Sequence, residues 1–249
     1  MIILYDNKVL TSTISAFSEN PSYLFDTGLK DTKLSRVGRT VNDSTEWVKF
    51  DMTTAVAVSY MTIQAHNITS GATLKLQGNA TDVWTSPTID QSLTWDAGTI
   101  IQTITETSLR WWRITIDDPS NPDTYIEIGA VFLGIPLVMP GMLPSQEITR
   151  VSSSTSTVSE SGQSYGDKKL RYYAPSFNFP NIVESKKTEI DTFWDTVENV
   201  DPFVLIIWED DLTTQPPIYC KLTNEALEWK KQPVEGYIHN VALAFREVF

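Results

Sequence analysis

Tyr60–Asn79 reads YMTIQAHNITSGATLKLQGN, and the fold is read outward from it. Met61, Ile63 and Ala65 alternate with Thr62, Gln64 and His66. Leu74 and Leu76 alternate with Lys75 and Gln77. A period of two marks strands with one face on a core and the other toward water. Asn67, Ser70 and Gly71 supply a polar turn between them. The stretch therefore predicts a central strand pair on which the neighbouring sequence packs.

The flanks repeat the pattern. In Glu46–Met52, EWVKFDM, one face holds Trp47, Lys49 and Asp51, and the other Val48, Phe50 and Met52. Val56–Tyr60 leads into the central pair, and Thr94–Thr105 holds another strand. Arg110–Asp117, RWWRITID, places Trp112, Ile114 and Ile116 on one face. Asp118-Pro119-Ser120-Asn121-Pro122 is a turn that no helix or central strand crosses. Tyr125–Leu133 is the last strand of the set, while Ile2–Leu10 and Thr11–Phe17 are the first. Tyr23–Thr45 lacks periodicity and reads as a long structured loop. Residues 1–135 thus carry about eight short strands and no convincing helix, the pattern of a β-sandwich or jelly roll. Frequency alone pairs the first strand with the last to close it.

Gly134–Pro144, GIPLVMPGMLP, spaces prolines at 136, 140 and 144, which forbids a helix and favours an extended connection. Residues 136–145 are read as a linker, too apolar to hang free, and so lying against a domain or a neighbouring subunit. Residues 146–249 form the second domain, a β-sandwich or barrel carrying one α-helix. Gln146–Glu160 reads as a polar edge strand, Gly162–Gly166 as a turn, and Lys168–Phe179 as the returning strand. The helix spans 181–200, with Asn181 as its cap and Glu184 completing a capping box. Ile190, Phe193, Trp194 and Val197 form its buried face, and Asp201-Pro202 stops it. PFVLIIW at 202–208 reads as a fully buried strand. Ile218–Thr223 and Gly236–Phe249 complete a chain that is mainly β.

The formal net charge is -12. That argues against sequence-independent binding to a phosphate backbone and against docking on an anionic membrane. It fits plain solubility, and equally a surface that lets DNA pass without adhering. The single cysteine, Cys220, precludes an internal disulfide and sits in an apolar strand pattern as a buried thiol. His66 and His239 are the only histidines, and neither has a companion at metal-ligand spacing. No apolar run reaches the length of a membrane span, and MIILYDNKVL lacks the pattern of a signal peptide. The expected place of synthesis is a cytoplasm.

Candidate site residues each have two readings. Asp26, Gly28 and Asp31 in the long loop suit calcium, or simply a solvated loop. Asp117-Asp118 and Glu209-Asp210-Asp211 offer paired carboxylates, but each cluster sits at a strand end or turn, where Asp caps backbone. His66 with Asn67 looks site-like, yet such a pair commonly bonds its own turn. Trp84, Trp95 and Trp111 suit stacking on sugar rings, core packing or a subunit contact. No nucleophile–base order or phosphate loop appears. No catalytic, cofactor-binding or metal residue is therefore assigned, no cofactor is expected, and the chain reads as a non-enzyme.

EWVKFDM, VSYMTIQAHNITSGATLKLQGN and LRWWRITIDDPSNPDTYIEIGAVFLG together resemble the galactose-binding-like jelly roll of discoidin and coagulation-factor C-type domains over residues 40–134. The wording is closer still to versions encoded in phage tail gene clusters. Residues 146–249, with strands before a helix and a "PF" strand after it, resemble phage distal tail proteins. These resemblances imply a structural subunit of the distal tail or baseplate of a long-tailed phage, located at the virion tail tip. It would form a homo-oligomeric ring, a hexamer by that likeness, around the tail lumen and contact other tail proteins. The alternative they imply is a carbohydrate-binding, receptor-recognition module that takes host surface glycans. Neither implies direct binding to nucleic acid or membrane.

Overall fold

The computed structural model of the chain describes residues 1–141, 147–209, 212, 215–231 and 239–249. In chain order its elements are β1 (Ile2–Leu4), β2 (Thr13–Ala16), the one-turn helix α1 (Phe25–Gly28), β3 (Gly38–Arg39), β4 (Glu46–His66), β5 (Thr73–Asn79) and β6 (Ile89–Ser92). Then come β7 (Thr99–Asp117), β8 (Glu127–Gly134), β9 (Leu137–Val138), β10 (Glu147–Ser152), β11 (Thr155–Val158), β12 (Ser164–Asp167) and β13 (Arg171–Ile182). The last are α2 (Glu184–Val197), β14 (Phe203–Ile206), β15 (Ile218–Leu222), β16 (Lys230–Lys231) and β17 (His239–Glu247). The chain is mainly β and divides into two compact units. Asp6–Pro136, with Phe249, form a sandwich unit, and Met1–Tyr5 with Leu137–Val248 form a helix-bearing unit.

In the sandwich unit the antiparallel order is β3-β8-β4-β7-β5-β6, with β2 on the other side of the first half of β4. β4 has 21 residues and β7 has 19, and they pair along most of their length. Register shifts at Asp51/Val56 and Val58/Tyr60 bend them without breaking the ladder. One half of β4 pairs with β2 and the other with β8. Val48, Phe50, Met61, Ile63, Leu76, Trp112 and Ile114 are each 0% exposed in the shared core.

Several expectations change here. The strands of Tyr60–Asn79 both exist, but they are not partners, because β7 lies between them. Three predicted strands merge into β4, and Thr94–Thr105 merges with Arg110–Asp117 into β7. At each bulge the alternation changes phase, which in sequence looks like a strand end. The loop at 23–45 contains α1, where Phe25 is buried and packs so tightly that a Cβ on Gly38 would lie 2.3 Å from its Cδ1.

The helix-bearing unit is an antiparallel sheet of order β10-β13-β17-β15-β14-β1-β9, with β16 beside β17. β1 does not close the sandwich. Ile2, Ile3 and Leu4 pair with Ile206, Leu205 and Val204, and Ile2 and Ile3 also pair with Val138 and Leu137. Part of the predicted linker is therefore strand β9, with Leu137 and Met139 buried in this core, while 142–145 lie outside the described residues. The long edge strand expected over Gln146–Glu160 is split: β10 is an edge strand, while β11 pairs with β12, which occupies part of the expected turn at Gly162–Gly166; β14 is buried throughout. The predicted strand at 236–249 is described only from His239 onward.

α2 buries Ile190, Phe193 and Val197. The Phe193 ring meets Tyr5 and Phe203 edge-on at 5.1 and 5.2 Å. The helix is shorter than 181–200, and Asn181 does not cap it. Asn181 occupies a β13 bulge with φ 60, its N–H donating to Asn240 Oδ1 at 3.1 Å. Val183 is the cap residue and offers no side-chain acceptor. Glu184 instead lies 3.0 Å from His239 Nε2. No helix among the described residues is long and apolar enough to cross a membrane.

Candidate binding face

The outward face of β2, β4, β7, β5 and β6 is set by register. One row holds Asp51, Trp111 and Asn79, the next Lys49, Arg113, Gln77 and Asp90, the next Trp47, Thr115, Lys75 and Ser92. Their inward neighbours Val48, Phe50, Ile114 and Leu76 are in the core, so the pleat forces the intervening side chains outward. Trp47, Trp84 and Trp111 are all half-buried, with Trp84 reaching in from the β5–β6 connection.

The polar groups between the rings are held by one another. Lys49 Nζ donates to Asp82 Oδ2 at 2.7 Å and lies 5.2 Å from the ring centroids of both Trp47 and Trp111. Trp84 Nε1 donates to Asp82 Oδ1 at 2.7 Å, and the Arg113 guanidinium lies over the Trp84 ring at 4.3 Å. Arg113 Nε donates to Gln77 Oε1 at 2.6 Å, and Gln77 Nε2 donates to Asp90 Oδ1 at 2.9 Å. Arg110 forms a two-pronged pair with Asp51, at 2.7 and 2.8 Å. Exposed pairs of this kind each contribute ~0–1 kcal/mol, so they orient the face more than they stabilise it.

The titration of these groups follows the geometry. Hydrogen bonding to Arg110 holds the Asp51 carboxyl below its usual range, and bonds from Gln77 and Lys75 do the same for Asp90. Burial works against the Asp82 carboxylate, but Lys49 and Trp84 outweigh it and its pKa falls. Burial lowers the pKa of Arg113 against the pull of Asp82 and Asp90.

The two other tryptophans weighed from sequence separate. Trp111 joins Trp84 on this face, while Trp95 packs on the core and donates Nε1 to Ile68 O at 2.8 Å. Trp47 was not singled out for stacking, although the alternation of EWVKFDM already put it beside Lys49 on the outward side.

The remaining candidates are engaged in holding the fold. Asp118 is 0% exposed and bonds Thr69 and Asn121. Asp117 Oδ1 accepts the Thr45 N–H at 3.0 Å. Asn67 accepts from Glu127 N and donates to Tyr125 O and Asp123. The His66 ring is largely buried, and burial lowers its pKa against the pull of Asp96. Asp26 pairs with Lys30 at 2.6 Å, and Asp31 accepts the Lys33 N–H. No group of three or more His, Cys, Asp or Glu suited to a metal occurs among the described residues. Cys220 is buried, which pushes its thiol pKa well up. Asp210 and Asp211 lie outside the described residues. A concavity of about 630 Å³ in the helix-bearing unit has a mixed lining, with Phe179, Pro180 and Val241 beside Asn224, Glu228 and Lys230.

No protein-family model matches the chain, and no curated protein matches it. Among solved structures it is similar to chitosan-binding module 2, in complex with chitotriose, from a chitosanase/glucanase of Paenibacillus sp. IK-5. The identity there is 13% and the TM-score 0.43, over 52% of this chain and 100% of that one. A fucose-binding module of Streptococcus pneumoniae gives 11% and 0.43, over 52% and 98%. The lectin domain of lectinolysin, complexed with Lewis B antigen, gives 11% and 0.42, over 51% and 95%.

Proposed function

We propose that the chain is a non-catalytic carbohydrate-binding protein whose sandwich unit takes sugar on the face of Trp47, Trp84 and Trp111. The observation that supports it is the interleaving of three half-buried indoles with planar, oriented polar groups. A sugar ring offers a C–H face to an indole and hydroxyls around its rim to amides, carboxylates and guanidinium groups. A protein partner is a poorer fit, because the cores of protein interfaces are depleted in Lys and Asp, which are dense here. The acidic pair Asp117-Asp118 is not a free carboxylate pair for hydrolysis, since both carboxylates already hold backbone N–H groups and Asp118 is buried. A glycan array with the full chain tests the reading. Binding that falls at least tenfold in both Trp111→Ala and Trp84→Ala, with melting temperatures retained, supports it. No bound glycan at high protein concentration ends it.

A second reading, a ring-forming subunit at a phage tail tip beside other tail proteins, is favoured by one observation. Among the described residues β11 and β12 pair only with each other, and every side chain in both is exposed. Val158, Tyr165 and Leu170 are 68%, 59% and 72% exposed. A lone two-stranded hairpin is marginal in water and gains from a partner. Native mass spectrometry decides: a closed oligomer supports this reading, and a strict monomer at high concentration removes it.

A further inference from the structure

Arg113 is the exception on the proposed face. Lys49, Lys75 and Arg110 each contact a carboxylate, at 2.7, 3.1 and 2.7 Å. Arg113, at the centre of the same face, has no carboxylate partner among the described residues. Its one hydrogen bond uses Nε, toward the neutral Gln77 amide. Asp82 and Asp90 are near enough to act on it electrostatically, but each is held by other donors: Asp82 by Lys49 and Trp84, Asp90 by Lys75 and Gln77. Both Nη groups are without a hydrogen-bond partner among the described residues, on a side chain half covered and stacked on Trp84. Partly burying a cation with no carboxylate in direct contact is costly. A guanidinium fork fits a planar anion in two-point fashion, and Gln77 and Trp84 fix its orientation.

Resting on the carbohydrate reading, we infer that the sugar is acidic, and that its carboxylate or sulfate seats on the Nη groups of Arg113 while a pyranose ring lies on a neighbouring indole. On a chain of net charge -12, an anionic glycan finds here the one cation of this face that contacts no carboxylate among the described residues.

The test compares matched oligosaccharides that differ only in their anion: oligogalactose, oligogalacturonate and sulfated oligogalactose, titrated into the full chain by calorimetry. At least one acidic series binds about ten- to hundredfold tighter than the neutral one, the range of a charge-assisted contact. Added salt narrows that preference. Arg113→Gln brings the ratio to about one, and Arg113→Lys, which keeps charge but loses the fork, leaves an intermediate ratio. Circular-dichroism melting of both variants confirms folding. Oligogalacturonate alone gaining identifies a carboxylate, and the sulfated series alone gaining identifies a sulfate. Equal binding of all three, or an acidic preference that survives Arg113→Gln, overturns this inference and leaves the carbohydrate reading standing. Failure of these and of every arrayed sugar to bind overturns both.

Discussion

Asp118 holds Thr69 twice, accepting its backbone N–H at 2.8 Å and its hydroxyl at 2.6 Å. Asp118 follows β7 and Thr69 lies between β4 and β5, so one carboxylate fixes two connections at one end of the sandwich unit. Asp118→Ala leaves the half-buried Thr69 N–H without its acceptor and removes charge-assisted bonds, costing about 2–3 kcal/mol. Asp117→Ala, at an exposed position with a single bond, costs less than about 1 kcal/mol. Urea denaturation of both variants checks the contrast.

Gly78→Ala places a Cβ 2.8 Å from Trp112 Cζ3 and 2.9 Å from Leu109 Cδ1. Trp112 is 0% exposed and has no room to retreat. The expected loss is about 1–3 kcal/mol by overpacking, read as a lowered denaturation midpoint at unchanged slope.

His66 makes stability pH-dependent. Its folded pKa lies below the ordinary 6.5, so above 6.5 both folded and unfolded forms are neutral and the stability is fully present. Below 6.5 the unfolded chain takes up a proton that the folded site resists, and stability falls as pH drops toward the folded pKa. His66→Gln flattens the melting temperature between pH 7 and about pH 5.

Asp51, Asp82 and Asp90 act lower on the scale. Their pKa values are depressed from 3.8, so their contribution is complete above that value and is lost as pH falls through the folded pKa values. The proposed sugar binding on this face is accordingly expected to be unchanged from pH 7 to about pH 5 and to fade below about pH 4, which titration calorimetry at fixed salt checks.

Phe193→Ala removes a fully buried ring flanked by Tyr5 and Phe203, and destabilises the helix-bearing unit by about 3–5 kcal/mol. Hydrogen exchange is expected to show the loss in α2 and β14 while β4 and β7 keep their protection.

Strand identity was legible wherever the side-chain period held. EWVKFDM and RWWRITID put their core residues on the faces where the structure buries them. Pairing was not legible, because Tyr60–Asn79 carries nothing to say that β7 enters between its two strands. Thr62 and Gln64 are buried although their alternation pointed them to water, since a polar residue does not announce a covered second face. Asn181 and Glu184 match the capping-box spacing, but tertiary partners Asn240 and His239 take them instead. On the candidate face, Trp84 and Trp111 were visible as residues. What joins them is Lys49, Asp82 and Gln77, and that arrangement depends on lateral register between strands distant in sequence.

The pairing of β1 has a consequence for how the chain is made. Ile2, Ile3 and Leu4 leave the ribosome well before the segment at 203–206 that flanks them, with the entire Asp6–Pro136 unit emerging in between. Among the described residues that unit finds all its strand partners within itself and can close during synthesis, before the Phe203–Ile206 partner of β1 has emerged. A nascent chain stalled short of Phe203 would therefore carry one finished body and a β1 that can meet β9 but not yet β14, one of its two partners.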